Sequence, residues 1–355
     1  MRSEASHWLE KIRALPPRRA VLMEVCGTHT MSIARAGIKT LLPEGVELLS
    51  GPGCPVCVTP AEVIDAVLAL AMEKNVIIAS YGDMLRVPGS RPGDSLQRRR
   101  ALGAQVETVY SPIDAIAIAE RNPEKEVVFL GVGFETTAPG TAAAVLTAQE
   151  KGVKNFSVWS MLKTVEPALR ALLAQEDFRV QGFLCPGHVA TITGAEAFRF
   201  LPEEYGMPAV VGGFEPEEIL QALYLLLKQL SEHDPKLENA YPRAVSAQGN
   251  RLAQRMIERC LEARSDRWRG LGEIPASGLG FREEFAAYDA EKKFGVTPTG
   301  AEKPTGCRCG EVICGRCRPA DCPLFGRRCT PEDPVGPCMV SSEGACAANY
   351  LYQNA

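Results

Sequence analysis

Eight short apolar runs, most of them rich in β-branched residues, recur along the first 213 residues with helical stretches between them. They lie at 20–25, 46–50, 75–80, 106–110, 126–131, 156–160, 180–184 and 208–213. Most are continuously apolar rather than alternating, which is typical of parallel strands buried on both faces. Repeated strand–loop–helix units of this kind predict an α/β fold with parallel sheets.

The order of these units predicts three domains. We expect two similar parallel-sheet α/β domains, 1–122 and 123–231, divided near the polar, proline-containing junction at 121–125. A smaller, mainly helical or irregular domain would follow at 232–355, with helices at 248–264 and 281–294. Beyond residue 304 the chain is rich in Cys, Pro and Gly, and such a segment buries too little apolar area to fold without a metal.

The overall composition is that of an ordinary globular protein and excludes several classes of partner. Apolar residues make up 46% and charged residues 23%, and the formal net charge is −4. This balance argues against nucleic acid or an anionic membrane surface as partner. No apolar run reaches the roughly 18 residues of a membrane span, and the first residues lack the apolar core of a signal peptide. We therefore expect a cytoplasmic protein with no membrane association.

The cysteines are the most unusual part of the composition. Of thirteen, eight fall between Cys307 and Cys346. Since cytosolic thiols stay reduced, this density indicates metal or redox chemistry rather than structural disulfides. An iron–sulfur cluster takes four cysteines. Cys309, Cys314 and Cys317 have the spacing of a plant-type 2Fe–2S site, and the competing set is Cys322, Cys329, Cys338 and Cys346. Spacing alone leaves this choice open.

The other unusual motifs follow predicted strands, where open α/β sheets bind their ligands. Cys26 comes after the first strand and before a helix start, a position that lowers the pKa of a thiol. His29, three residues on, could pair with a thiolate or ligate a metal. A buried, purely structural cysteine is the alternative for Cys26.

Cys54 and Cys57 form a Cys-x-x-Cys pair after the second strand. Thr59 to Glu62 is typical of a helix capping box, which would put Cys57 near a helix N-terminus. The pair could be a thioredoxin-type redox pair, half of a zinc site or two buried small residues. Cys26 could contribute a further ligand, but three thiols on three turns do not favour a closed zinc site, so redox or open metal use is favoured.

Further polar residues end other strands. The segment GVGFETT lacks a third glycine and a Walker lysine, so it does not support nucleotide binding. Its Glu135 and Thr136 are candidates to hydrogen-bond a ligand or to position a thiol. His188, Asp83 and Arg86 are candidates of the same kind, with helix capping or loop hydrogen bonds as the alternative.

Five motifs in order resemble one family. EVCGTHT, GPGCPVCVTP, GVGFETTAP, CPGHVATITG and DCPLFGRRCTPEDPVGPCMVSSEGACAA resemble the HypD family of hydrogenase formation proteins over about residues 20–350. The resemblance implies an assembly factor for NiFe hydrogenases that works with a HypC-like chaperone. It would hold an iron atom that acquires cyanide, delivered by a HypE-like donor, and carbon monoxide. The finished Fe(CN)2CO group would pass to the hydrogenase large-subunit precursor.

The same resemblance implies residue roles. Cys26 would bind the iron together with the N-terminal cysteine of the HypC-like partner, and Cys54 and Cys57 would be the redox thiol pair. The predicted hydrogen-bonding residues around them are His29, Glu135, Thr136 and His188. A 4Fe–4S cluster would be held in the third domain by Cys322, Cys329, Cys338 and Cys346.

Two alternatives stay open from the sequence. The tail is similar to that of ferredoxin-thioredoxin reductase, so the chain could be an iron–sulfur thiol–disulfide reductase using Cys54 and Cys57. It could also be a binding module whose tail holds structural zinc. Cys314 and Cys317 are additional to the family pattern, and whether Cys307 and Cys309 are ligands or a thiol pair stays undecided.

Overall fold

A computed structural model describes residues 4–91, 93–298 and 305–352. Its strands are β1 Ala20–Glu24, β2 Val46–Ser50, β3 Val76–Ser80, β4 Gln105–Thr108, β5 Glu126–Gly133, β6 Phe156–Leu162, β7 Gly182–Pro186, β8 Ala209–Gly212, β9 Leu237–Asn239, β10 Leu261–Trp268 and β11 Gly272–Phe281. Its helices are α1 Glu4–Ala14, α2 Gly27–Arg35, α3 Ile38–Leu41, α4 Pro55–Val58, α5 Ala61–Leu70, α6 Leu96–Ala101, α7 Pro112–Arg121, α8 Ala138–Lys151, α9 Val165–Leu173, α10 Gly187–Thr193, α11 Phe200–Tyr205, α12 Pro216–Glu232, α13 Arg251–Cys260, α14 Ala290–Phe294, α15 Cys309–Ile313 and α16 Ala345–Tyr352.

Two parallel sheets form the body of the protein, which confirms the predicted α/β class. Sheet A has the strand order β2-β1-β7-β8-β9, and sheet B has the order β4-β3-β5-β6. Every residue of β3, β6, β7 and β8 is buried. Their continuous apolar runs are explained by the helices that cover both faces of each sheet.

The two sheets are not consecutive along the chain. Sheet A joins strands from 20–50 to strands from 182–239, with Leu22 opposite Gly182 in the β1–β7 pair. Sheet B takes β3 and β4 from one side of the predicted division at 121–125 and β5 and β6 from the other. That division therefore runs through a sheet. Its polar residues form the turn between α7 and β5, where the Lys125 N–H donates to the Asn122 carbonyl.

The predicted third domain contains more strand than expected. The helix predicted at 248–264 ends at Cys260, and β10 follows directly and pairs with β11 in an antiparallel ribbon. Interior residues of β10 alternate between half-buried and exposed, so its polar sequence hides the strand pattern. The ribbon packs on α9 and β6 and extends the sheet B unit.

The cysteine-rich tail joins the two units. Its helix α16 packs on α2 beside sheet A, and α15 packs on the short helix α4. In the described ranges, no helix combines the length and the apolar character that crossing a membrane requires.

Candidate functional site

A cavity of about 650 Å³ is lined by residues at the carboxyl ends of both sheets. Sheet A contributes the segments after β1, β2 and β7, and sheet B those after β3, β4 and β5. The tail contributes Ser341, Ser342 and Glu343. The strand-end motifs predicted from the sequence therefore meet at one cavity, because two sheets turn their carboxyl ends toward each other.

Cys26 lies at the cavity wall as the N-cap residue of α2. Only 8% of it is exposed, and burial raises the pKa of its thiol to about 12. The backbone N–H groups of His29 and Thr28 hydrogen-bond the sulfur and oppose that rise. These donors are suited to a thiolate, so a cation that replaces the thiol proton would find its ligand already oriented.

A buried carboxylate fixes the backbone around Cys26. Glu24 accepts a hydrogen bond from the Cys26 N–H at 3.0 Å and from the Thr30 hydroxyl at 2.5 Å. Burial raises the pKa of Glu24, although hydrogen bonds from Thr30 and Ser50 oppose this. Glu24 therefore joins the end of β1, the first turn of α2 and the end of β2.

Three polar side chains meet beside the cavity. The Thr28 hydroxyl donates to Glu343 at 2.6 Å and lies 3.4 Å from Nδ1 of His188. The partly exposed His188 ring stacks on Phe214 with centroids 3.9 Å apart, and its partial burial lowers its pKa. Residues from the loops after β1 and β7 and from the tail are thus held together next to Cys26.

His29 has a different environment from the one expected. Its ring is fully buried, with Nε2 2.8 Å from the Gly213 carbonyl and the ring 4.6 Å from that of Phe214. Nδ1 has no hydrogen-bond partner, and burial lowers the pKa of His29 to about 4. The imidazole is therefore neutral, and it does not line the cavity, whereas its backbone N–H serves Cys26.

Glu135 and Thr136 have different environments in the structure. Thr136 is exposed and lines the cavity. Glu135 is buried and accepts a hydrogen bond from the Val165 N–H at 2.9 Å, so it caps the first turn of α9. Its other oxygen has no partner, and burial raises its pKa to about 7. The exposed Asp83 also lines the cavity, and Arg86 donates to the Pro331 carbonyl in the tail.

Cys54 and Cys57 form a disulfide that lies behind the cavity wall. Their neighbours Gly53, Pro55 and Val56 line the cavity, but neither cysteine does, and both are buried. The expected capping box is absent, because Thr59 ends α4 by donating to the Pro55 carbonyl. The disulfide-bearing helix α4 instead packs on α15 and on the turn at 337–339.

The disulfide loop and the Cys26 loop touch through their backbones. The Gly27 N–H donates to the Gly53 carbonyl at 2.9 Å. A Cβ on Gly53 would lie 2.2 Å from the backbone nitrogen of Cys26, so only glycine fits there. Gly53 therefore connects Cys26, the candidate iron ligand, to the disulfide.

Several tail cysteines lie close to one another in the part of the tail that packs on α4. The Sγ atoms of Cys309 and Cys338 are hydrogen-bonded at 2.8 Å, and Cys338 also hydrogen-bonds Cys346. The Cys329 sulfur accepts from the Val335 N–H at 3.3 Å. Hydrogen bonds with Cys307 and then Cys338 lower the pKa of Cys309.

Comparison with known proteins identifies the family. The HypD profile, described as "Hydrogenase formation hypA family", matches residues 3–353. The chain belongs to the HypD family. It is 46% identical to a hydrogenase maturation factor HypD of Rhodobacter capsulatus, over 99% of this chain and 94% of that protein. It is 47% identical to HypD of Azotobacter vinelandii and 44% identical to HypD of Escherichia coli (strain K12). Those two matches cover 95% and 99% of this chain and 90% and 93% of the relatives.

The tail of this HypD-family chain offers donors that fit an iron–sulfur cluster. Seven of its eight cysteines are buried, and thiolates are the ligands that such clusters take. In the described ranges, no group of three or more His, Cys, Asp or Glu side chains is arranged so that it could hold a metal ion. Cys309, which is not among the predicted ligands, contacts Cys338, and Cys307 hydrogen-bonds Cys309.

Several residues at the HypD-family site were missed by sequence reasoning. Glu24, Gly53, Phe214 and Glu343 were not singled out, although the first three contact a predicted site residue and Glu343 accepts a hydrogen bond from Thr28, between Cys26 and His29. Glu343 stands in the motif VSSEGACAA, but nothing in its spacing indicates contact with Thr28, 315 residues earlier. For Glu24, a carboxylate at the end of an otherwise apolar strand was the available signal.

Proposed function

We propose that this hydrogenase maturation factor is the scaffold on which an Fe(CN)2CO group is assembled, with Cys26 as the protein ligand of the iron. The observation that carries this is the position of Cys26, the one cysteine among the described residues that lines the strand-end cavity. Its sulfur receives two backbone N–H groups at the start of α2. Low-spin ferrous iron that bears cyanide and carbon monoxide is well matched to a soft thiolate.

Partners complete the site in this proposal. A HypC-like chaperone supplies a second cysteine ligand, a HypE-like protein delivers cyanide, and the hydrogenase large-subunit precursor receives the finished group. The cavity is open, and Tyr110 at its edge is 94% exposed. An exposed aromatic side chain beside an open cavity fits a site that closes against another protein.

The polar residues beside Cys26 would act on the diatomic ligands. His188 and Thr136 line the cavity and can donate hydrogen bonds to cyanide nitrogen. The His188 ring is held in place by stacking on Phe214. Glu343 holds the Thr28 hydroxyl and keeps a negative charge near the thiol. His29 and Glu135 would support the site without lining the cavity. The His29 ring packs against Phe214, and Glu135 caps α9.

Cys322, Cys329, Cys338 and Cys346 would hold a 4Fe–4S cluster, which supplies one-electron redox chemistry. The packing of α4 on 337–339 supports a role for the Cys54–Cys57 disulfide between the tail and Cys26. The same packing favours a second candidate function, an iron–sulfur thiol–disulfide reductase. That enzyme would reduce a thioredoxin-like partner and would not require Cys26.

Anaerobic co-expression with a HypC-like partner separates the two functions. The scaffold predicts a purified complex with cyanide and carbonyl stretching bands in its infrared spectrum. The reductase predicts disulfide reduction in a thioredoxin-like partner, at an equal rate in wild type and in Cys26→Ala. A complex without these bands, together with such Cys26-independent reduction, would overturn the scaffold.

A further inference from the structure

A separate cavity of about 490 Å³ lies along β2, the edge strand of sheet A. Residues 45–50 line it, together with tail residues that include Val312, Arg318 and Ala345. It shares no lining residue with the cavity that contains Cys26. Its volume is in the range of protein cavities that bind small molecules, and the site described above makes no use of it.

Lys39, on the short helix α3, is the unusual residue of this cavity. Its half-buried side chain lines the cavity. Burial lowers the pKa of Lys39, although the carboxyl groups of Glu24 and Glu47 oppose this. In the part of the chain that the structure describes, Lys39 has no hydrogen bond and no ion pair. A half-buried ammonium without a partner is unfavourable, so it would stabilise an anion that enters the cavity.

The charges that line the cavity favour a ligand with a single negative charge. Glu47 is already paired, with Arg318 at 2.9 Å and with Arg179 at 2.8 Å. The charged lining residues are the two cations Lys39 and Arg318 and the one anion Glu47, so their net charge is +1. This balance matches a carboxylate better than a doubly charged phosphate.

The edge strand also offers a backbone donor. The Ala20 N–H donates to the Gly45 carbonyl. The Gly51 N–H donates to the Glu24 carbonyl in the same ladder. Since alternate residues of a parallel strand bond to the same neighbour, the N–H of Leu48 points away from β1. No other described strand pairs with β2 on that side, so this N–H is available to a ligand.

Much of the remaining lining is apolar, and it comes from α2, β2, α15 and α16: Ala34, Val46, Leu48, Val312, Ala345 and Ala348. We propose that the cavity binds a small monocarboxylate with an apolar chain. Its carboxylate pairs with Lys39, and its chain packs between β2 and the tail helices. This proposal does not depend on iron binding at Cys26.

The first test compares two probes that differ in the charge of the head group, hexanoate and hexanamide. Their affinities are measured by ligand-observed NMR on the anaerobically purified full chain. We expect hexanoate to bind at least tenfold more tightly, because only the carboxylate pairs with Lys39. No binding of hexanoate at millimolar concentration, or equal affinity for the two probes, would overturn the proposal.

Variants at residue 39 test the ligand-binding residue. Because Lys39 has no described partner to lose, Lys39→Gln should fold like wild type and bind hexanoate at least tenfold more weakly. Lys39→Arg keeps the charge and should stay within threefold of wild type. Lys228→Gln is the matched control, since Lys228 is a half-buried helical lysine outside the cavity. Unchanged affinity in Lys39→Gln would contradict the assignment.

A third measurement locates the probe without any substitution. Hexanoate should protect Lys39, but not Lys228, from acetylation by acetic anhydride, as followed by mass spectrometry of the wild-type chain. Equal acetylation of Lys39 with and without hexanoate would place the probe elsewhere and overturn the proposal. Tighter binding of inorganic phosphate than of hexanoate, measured by displacement, would overturn the assignment to a carboxylate.

Discussion

The Gly27 N–H donates to the Gly53 carbonyl across 2.9 Å, and this bond joins the Cys26 loop to the disulfide loop. The contact leaves no room for a side chain at residue 53. The two thiol sites are therefore connected directly through their backbones.

Gly53→Ala should therefore disturb both loops. Its Cβ would overlap the Cys26 backbone, so we expect the free energy of unfolding to fall by about 2 kcal/mol. Urea denaturation measures this. Gly140→Ala is the control, because a Cβ at that position in α8 meets nothing within 4 Å. Equal stability of Gly53→Ala and wild type would show that the loops separate easily.

Glu343→Gln should lower the pKa of the Cys26 thiol. After burial, the negative charge of Glu343 is the largest influence that raises this pKa. We expect iodoacetamide to alkylate Cys26 faster at pH 8 in the variant, with the rate profile moved toward lower pH. Thr28→Val is the control, since it removes the hydrogen bond from Thr28 and keeps the charge. A profile identical to wild type would contradict this electrostatic role.

Glu135 should make stability depend on pH. Burial raises its folded pKa from 4.5 to about 7, so the folded state holds a proton that the unfolded state releases. The stabilisation is complete below pH 4.5 and is lost as the pH rises through 7, at a cost of roughly 3 kcal/mol. Glu135→Gln keeps an acceptor for the Val165 N–H and should remove this part of the pH dependence. Unfolding free energies of both proteins at pH 5 and pH 8 test it, and parallel curves would count against it.

The proposed cluster ligands can be tested by measuring the iron and sulfide content of alanine variants. Alanine at Cys322, Cys329, Cys338 or Cys346 should abolish bound iron and acid-labile sulfide, because a cluster needs all four thiolates. Cys317→Ala should retain both. Iron and sulfide analysis of the anaerobically purified chain provides the measurement. Zinc in place of iron and sulfide in the wild-type chain would instead indicate a structural metal site.

The sequence was sufficient for the elements that carry a local signal. Short apolar runs, most of them continuous, predicted the eight strands from β1 to β8, and the polar motifs after them predicted a site at strand ends. Strand order lay beyond this reasoning, because the pairing of Leu22 with Gly182 is a long-range choice that local pattern does not encode. The ribbon β10–β11 was missed because its exposed, polar residues match no buried strand.

Side-chain partners were the least predictable part of the site. His29 was expected beside the iron ligand, but its ring is buried against Phe214, which follows β8, two strands away from β1 in sheet A. Cys54 and Cys57 were expected at the strand-end site but do not line the cavity, whereas their neighbours Pro55 and Val56 do, and their helix α4 packs on the tail. The direction of a side chain on one helical turn depends on tertiary packing rather than on sequence spacing.

The most direct test of the scaffold is infrared spectroscopy of the complex with a HypC-like partner, purified from wild type and from Cys26→Ala. Cys260→Ala is the matched control, because Cys260 is a buried free cysteine on α13, outside the cavity. We predict cyanide and carbonyl stretching bands in wild type and in Cys260→Ala, and their loss in Cys26→Ala. Full retention of the bands in Cys26→Ala would contradict the account.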